Sequence, residues 1–303
     1  MHSHSHGASH RHSHGDGASS RIAWAFFLNA GFALIEFIGG MLTNSTAIMA
    51  DAVHDLGDSL AIALAWGLAK LSNTPSSSTF SYGYRRFSLL GALFNGVILI
   101  LGSGWVLSHA IPRLYNPVMP DTAGMFVLAV FGVLVNGFAA YKLGQGSTQN
   151  ERMLNWHLLE DVLGWVAVML VSMTLMFVDW PILDPILSIA FTLFILLNVL
   201  RQLWKTLRLF LQATPEELNI PDISASLQAL PGVAGVHHVQ LWSLDGEQHV
   251  LTAHVVLIEN ADVERQSQLK QQIAEALRPY GLAYTTIEFE FAGETCRDHM
   301  PWD

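Results

Sequence analysis

The stretch Asn44-Ser45-Thr46-Ala47-Ile48-Met49-Ala50-Asp51-Ala52-Val53-His54-Asp55-Leu56-Gly57-Asp58 places a histidine and several carboxylates in a segment otherwise apolar enough to span a membrane. An ionisable side chain in hydrocarbon costs about 2.5–3.5 kcal/mol even on a lenient scale, so such residues rarely lie there without a role. His54 and Asp58 are four residues apart, a spacing that brings both side chains to one face of a helix. A second pair with the same spacing, His157 and Asp161, lies in a later apolar stretch.

Two such helices facing each other would supply two imidazole nitrogens and two carboxylate oxygens, a natural tetrahedral shell for Zn²⁺. Cobalt, cadmium and iron remain alternatives, whereas an all-carboxylate site would favour manganese or magnesium. Because an imidazole must be neutral to bind a metal, protonation of His54 or His157 would expel it. The sequence therefore predicts a buried site that exchanges zinc for protons. The alternative is two pairs of helix–helix hydrogen bonds.

The composition is that of an α-helical membrane protein. Of 303 residues, 51% are hydrophobic and 13% are charged, whereas soluble domains carry about 25% charged residues. A single cysteine, Cys296, excludes an intramolecular disulfide framework.

The net charge of −10 is concentrated in the C-terminal region. From Pro215 onward the chain has 14 acidic and 4 basic residues, which account for the whole of that charge. Such an acidic region argues against binding of nucleic acid and favours attraction of cations.

Six apolar segments each approach the roughly 20 residues that cross a bilayer. They are Ile22–Met41, Ala47–Leu71, Phe87–Ile111, Ala123–Leu143, Met153–Val178 and Ile182–Leu203. With a cytoplasmic N-terminus, the inner flanks hold ten Lys and Arg residues and the outer flanks hold only Arg113. This asymmetry predicts that both termini are cytoplasmic.

Three domains are predicted. Residues 1–20 contain six histidines among Ser and Gly, and we expect a disordered tail that either collects metal or is inert. Residues 21–210 form a six-helix transmembrane bundle. Residues 211–303 form a cytoplasmic domain in the order helix, strand, strand, helix, strand, which is an α+β (ferredoxin-like, αββαβ) sandwich. Because this domain is small, dimerisation would help to stabilise it.

The segment from Asn44 to Asp58 resembles the second-helix signature of the cation diffusion facilitator family of metal–proton antiporters. The segment Trp156-His157-Leu158-Leu159-Glu160-Asp161 is similar to its fifth-helix counterpart. The His and Asp pairs on both helices resemble the zinc-preferring branch. The resemblance implies a homodimer in a lipid bilayer, most simply the bacterial cytoplasmic (inner) membrane. It also implies export of Zn²⁺ from the cytoplasm by alternating access, with protons as the coupling ion.

The resemblance also implies further metal ligands in the C-terminal domain. His237, His254 and Glu288 fall at positions similar to those that bind zinc in family members, and Cys296 lies in a tail that binds metal in some of them. The other interpretation is that these are surface polar residues of an acidic domain.

Two other functional classes are weighed against a transporter. A membrane metalloenzyme needs an open coordination position and a general base, but four protein ligands would close the shell. A metal sensor without transport would leave the buried ligands unexplained. The sequence therefore predicts a transporter and not an enzyme, with export of cadmium, cobalt or iron as the alternative to zinc.

Overall fold

The computed structural model describes residues 15–72, 74, 76–143, 149–259 and 262–298. Within these ranges, the side chains of residues 15–26, 28, 65–66, 69–70, 72, 142–143 and 149–157 are not described. The chain divides into two units. The first contains the described parts of Met1–Lys70 and Gly91–Leu203, and the second contains those of Leu71–Leu90 and Trp204–Asp303.

Six long helices coincide with the six predicted apolar segments. They are α1 (Gly15–Thr43), α2 (Thr46–Ser72), α3 (Phe87–Tyr115), α4 (Thr122–Leu143), α5 (Gln149–Phe177) and α6 (Leu183–Phe210). Among the described residues, α3 to α6 contain four stretches long and apolar enough to cross a membrane. Helix α1 contributes a shorter apolar stretch, Asn29–Thr43. Helix α2 carries three carboxylates within its apolar sequence, those of Asp51, Asp55 and Asp58.

Helix α1 begins at Gly15, so residues 15–20, which the sequence assigns to a disordered tail, are helical. Once a helix is nucleated, each further residue adds a hydrogen bond at little cost, and the apolar span therefore extends towards the N-terminus. The histidines at positions 2 to 14 lie outside the described residues.

The first turns of α2 pack against α4 and α5. Their shared core is fully or almost fully buried and consists of Ala47, Ile48, Met125, Ala129, Trp165 and Val168. Gly132 of α4 allows α4 and α5 to approach closely, because a Cβ at this position would lie less than 3.0 Å from the indole ring of Trp165. The contact between α4 and α5 therefore depends on the absence of a side chain at Gly132.

We expect Gly132→Ala to destabilise the helical unit by about 1–3 kcal/mol, because a rigid buried ring cannot move aside without strain. Gly137→Ala on the same helix is the matched control, since a Cβ there meets nothing within 4 Å. Thermal unfolding of the purified protein in detergent measures the difference. Equal melting temperatures for the two variants would contradict this account of the α4–α5 contact.

The second unit contains the predicted αββαβ domain. Its elements are α7 (Ile220–Gln228), β1 (Val233–Ser243), β2 (His249–Leu257), α8 (Val263–Leu277), a 3₁₀ turn (Arg278–Tyr280) and β3 (Leu282–Glu290). The strand order is β1-β2-β3, with β1 and β2 antiparallel and β2 and β3 parallel. Both helices cover the sheet, and their buried residues, among them Ile223, Leu227 and Ile273, join one core with Leu251 and Val255 of β2. The α+β sandwich is confirmed.

The hairpin between β1 and β2 is built at Asp245-Gly246, as its sequence predicts. Gly246 has a φ of 101°, a left-handed conformation that glycine adopts without steric cost. The Asp245 side chain accepts hydrogen bonds from the backbone N–H groups of Glu247 and Gln248 at 3.0 and 2.8 Å. This turn fixes the register from Ser243 opposite His249 to Gln240 opposite Thr252, and an irregularity between Gln240 and His237 then shifts the register by one residue and brings His237 opposite His254.

The loop between α2 and α3 belongs to the same unit. The Tyr82 ring packs edge-on against that of Tyr284 on β3, with centroids 5.3 Å apart. Arg85 lies 3.5 Å from the carboxylate of Asp245 in the β1–β2 hairpin. The loop that follows α2 is therefore held to the sheet at two separate points.

Candidate metal centres

The first candidate site begins with the pair on α2. The Nε2 atom of His54 lies 3.6 Å from Oδ2 of Asp58, and each side chain is 22% exposed. The spacing of four residues produces this proximity, as the sequence predicts. The His54 ring also lines a cavity of about 10 Å³ between α2, α3 and α6, which Ser103 and Thr192 line from the other helices. This volume is at the lower limit for a single water molecule.

The acidic residue of the second pair comes to the same region. Asp161 of α5 and the two members of the α2 pair all lie close enough to Asp55 to interact with it electrostatically. One turn further along α5, a Cβ at Gly164 would lie 3.8 Å from Oδ1 of Asp51. The structure thus brings Asp161 near the carboxylates of α2. The side chain of His157 lies outside the described residues, although its backbone is part of α5 one turn before Asp161.

Asp184 is an organising residue that the sequence analysis missed. Its carboxylate is 1% exposed at the start of α6 and accepts four hydrogen bonds from the start of α2. The donors are the Ser45 hydroxyl (2.5 Å), the Thr46 N–H and hydroxyl (2.8 and 2.7 Å) and the Ala47 N–H (3.2 Å). The negative charge also stabilises the positive end of the α2 dipole. Asp184 therefore anchors to α6 the helix that carries His54 and Asp58.

The second candidate site lies in the C-terminal domain. Ligand atoms of His237, His254, Glu290 and Cys296 all lie within 4.8 Å of one another. The Oε1 atom of Glu290 is 2.7 Å from Nδ1 of His254 and 3.2 Å from Nε2 of His237. The Cys296 sulfur lies 3.5 Å from the same Nδ1 atom. Two imidazoles, a carboxylate and a thiol form a donor set suited to zinc.

Three of the four residues predicted for this site come together, but Glu290 takes the place predicted for Glu288. Glu288 is the register partner of His254, yet its Oε2 atom remains 3.9 Å from Nε2 of His254. The guanidinium of Arg297 donates a hydrogen bond to Glu288 at 2.7 Å, and Glu288 is not among the four residues whose ligand atoms converge. Glu288 and Glu290 point to the same face of β3, so alternation along the strand could not distinguish them.

His238 also joins this cluster, because the β1 strand has an irregularity between His237 and Gln240. His238 has a φ of 49°, whereas consecutive side chains of a regular strand point to opposite faces. The ring centroid of His238 lies 4.9 Å from that of His237 and 5.0 Å from that of His254. The bulge therefore gathers three imidazoles on one face of the sheet.

In this cluster, Glu290 and Cys296 each change the pKa of the other. Burial alone would raise the pKa of the Glu290 carboxyl, but hydrogen bonds from Cys296 and His254, together with the nearby His237, lower it. Hydrogen bonding to Glu290 and burial raise the pKa of the Cys296 thiol. A metal that binds Cys296 must therefore displace a proton, so binding at this site should strengthen as the pH rises.

We expect Glu290→Gln to weaken zinc binding by the C-terminal site about 10-fold or more, because it removes the negative ligand at the centre of the cluster. Glu288→Gln is the matched control and should change the affinity far less, since Glu288 pairs with Arg297. Competition with a chromophoric zinc chelator measures both affinities. A larger loss in Glu288→Gln than in Glu290→Gln would contradict this assignment.

Comparison with known proteins identifies the family. A family model described as the cation efflux transmembrane domain matches residues 22–211, and one described as the cation efflux protein, cytoplasmic domain, matches residues 215–290. The chain is 32% identical to the zinc transporter ZitB of Escherichia coli (strain K12), over 96% of this chain and 92% of that protein. It is 30% identical to the metal cation efflux system protein CzcD of Cupriavidus metallidurans, over 94% and 91% of the two chains.

A third relative is the cadmium, cobalt and zinc/H(+)-K(+) antiporter of Bacillus subtilis, which is 29% identical over 91% of this chain and 90% of its own length. The chain therefore belongs to the cation diffusion facilitator family, as the two helix signatures predict. It is a multi-pass membrane transporter for divalent metal efflux and not an enzyme.

Proposed function

We propose that this protein exports Zn²⁺ from the cytoplasm in exchange for protons, and that His54, Asp58, His157 and Asp161 bind the transported ion. The observation that carries the proposal is the convergence of α2 and α5. The His54–Asp58 pair and Asp161 all act electrostatically on the same residue, Asp55. The helical spacing of His157 and Asp161 supports a matching pair on α5.

The chemistry of these four residues suits a transported zinc ion. Two neutral imidazoles and two carboxylates carry a charge of −2, which the ion balances inside the membrane. A balanced site lowers the cost of burying charge. Protonation of His54 or His157 removes a ligand and adds positive charge, which favours release. A higher proton activity on the side opposite the cytoplasm would therefore drive export.

The proposed orientation rests on the distribution of basic residues. The excess of Lys and Arg in alternate flanks supports cytoplasmic termini, and relatives in bacteria support the bacterial cytoplasmic membrane. Because the C-terminal domain is small, a homodimer would increase the apolar area that it buries.

The C-terminal metal cluster would act on transport through the loop between α2 and α3. Glu290 ends β3, and the same strand carries Tyr284, against which Tyr82 of the loop packs. Zinc bound by His237, His254, Glu290 and Cys296 would stiffen this strand and, through the loop, the end of α2. We propose that loading of this site favours turnover.

Zinc uptake into inverted membrane vesicles with an imposed pH gradient tests the proposed function. The vesicles should accumulate zinc when their interior is acidic, and dissipation of the gradient should stop accumulation. Cadmium and cobalt are tested in the same vesicles, because one relative is named for all three metals. Zinc uptake at the same rate with and without the gradient would contradict proton coupling. Faster uptake of cadmium or cobalt than of zinc would identify that metal, rather than zinc, as the substrate.

A further inference from the structure

A groove of about 670 Å³ lies between α8 and β3 in the C-terminal domain. The buried side chains of Ile273 and Leu277 line it and give it an apolar surface. The exposed side chains of Lys270, Ala274 and Arg278 also line it, and their spacing of four residues places them in one row along the helix. None of the residues that line the groove belongs to either candidate metal centre.

The groove carries positive charge in a domain that is otherwise acidic. Lys270 and Arg278 are two of only four basic residues from Pro215 onward, where the chain has 14 acidic ones. Neither of them forms a salt bridge within the part of the chain that the structure describes. The Lys270 ammonium instead lies 5.9 Å from the centroid of the Phe289 ring. Charge complementarity therefore favours a ligand with negative groups.

The strand that borders the groove is at the edge of the sheet. Among the described residues, β3 is the last strand in the order β1-β2-β3 and pairs only with β2. Its residues Ala283 to Thr286 are exposed, and no backbone hydrogen bond joins Leu282 to Ile287 with a described segment other than β2. The strand contains no Pro or Lys, which commonly prevent an edge from pairing. The outer edge of β3 can therefore accept another extended chain.

The spacing of the two charges matches that of side chains in an extended peptide. Arg278 follows α8 with helical backbone angles, so the eight residues from Lys270 to Arg278 span about 12 Å. In an extended chain, residues i and i+4 lie on the same face about 13 Å apart. A strand added to β3 would place these two side chains beside Lys270 and Arg278. Its residue i+2 would lie beside the small side chain of Ala274.

We propose that this groove binds an extended acidic peptide of a partner protein as a fourth strand of the sheet. The peptide backbone pairs with β3, and acidic side chains at positions i and i+4 contact Lys270 and Arg278. An apolar side chain at position i+2 covers Ile273 and Leu277. A small organic anion could satisfy the two charges, but it would leave the edge of β3 unpaired.

Fluorescence anisotropy with the purified full chain in detergent tests this proposal. The probe is a fluorescein-labelled peptide of seven residues, with Glu at its second and sixth positions, Ile at its fourth and Thr elsewhere. A second peptide has Lys in place of both Glu residues. A third peptide keeps Glu but carries N-methyl groups on the nitrogens of its third and fourth residues, so that whichever of the two faces β3 cannot donate a hydrogen bond.

The protein variant is the pair Lys270→Glu and Arg278→Glu, which reverses both charges of the groove. Arg265→Glu is the matched control, because it reverses an exposed basic residue of α8 that does not line the groove. We expect the Glu peptide to bind the parent and Arg265→Glu with affinities within about 3-fold, and to bind the double variant about 10-fold or more weakly. The Lys peptide should bind the double variant more tightly than the parent, which also shows that the altered groove is intact.

The N-methylated peptide should bind the parent about 10-fold or more weakly than the Glu peptide, because it loses backbone hydrogen bonds to β3. Equal affinity of these two peptides would overturn the proposal, since the ligand would then not add to the strand. Absence of saturable binding of the Glu peptide to the parent would also overturn it. A change of oligomeric state in the double variant without peptide, measured by sedimentation, would identify a second copy of this chain as the occupant and overturn it.

Discussion

Zinc transport by His54→Ala should fall more than about 100-fold, because the substitution removes a ligand from the proposed four-coordinate site and leaves Asp58 without its neighbour. Changes in residues that merely orient ligands already cost about 10–100-fold in affinity. The measurement is the initial rate of zinc uptake into proteoliposomes at matched protein content. Zinc affinity should fall together with the rate.

The matched control is His109→Ala, which removes an exposed imidazole from α3. Its ring contacts Trp105 and the Ser108 hydroxyl rather than the carboxylates of α2, so transport should remain close to the parent rate. If His54→Ala and His109→Ala transported zinc equally well, His54 would not be a ligand of the transported ion.

Asp184→Ala should produce the largest loss of stability, about 3–5 kcal/mol, because it leaves buried donors at the start of α2 without an acceptor. Asp184→Asn keeps one side-chain oxygen and should lose less. Thermal unfolding in detergent and the yield of monodisperse protein measure both effects. The matched control is Asp179→Ala, which removes an exposed acid close in sequence to Asp184.

The hydrogen bonds between Asp184 and the start of α2 also affect the position of the proposed zinc ligands. His54 lies eight residues after Thr46, about 12 Å along the helix axis, so a loosened start of α2 would displace the zinc ligands. Asp184→Asn should therefore raise the zinc concentration needed for half-maximal flux. A melting temperature of Asp184→Ala equal to that of Asp179→Ala would show that the four hydrogen bonds do not hold α2 in place.

Much of the fold could be predicted because its signals are periodic and local. Apolar runs of membrane-spanning length located the six helices, and Asp245-Gly246 located the hairpin. The prediction of helix–strand–strand–helix–strand order in the C-terminal domain is confirmed for the same reason. Each of these signals lies within the segment that it describes.

The features missed by the sequence analysis depend on contacts between distant segments. Asp184 finds its partners 137 to 139 residues away, and no local pattern indicates that a carboxylate of α6 caps α2. Glu288 accepts a hydrogen bond from Arg297 of the C-terminal segment, and the position of His238 depends on a bulge. In each case the decisive information is the position of a second segment in space.

X-ray absorption at the zinc edge tests whether the residues on α2 and α5 bind the transported zinc. The sample is the full chain with His254→Ala and Cys296→Ser, which remove ligands of the C-terminal site. We expect four nitrogen and oxygen ligands at about 2.0–2.2 Å, two of them imidazoles, with loss of one imidazole signal in His54→Ala. A six-coordinate oxygen shell without imidazole, unchanged by His54→Ala, would contradict it.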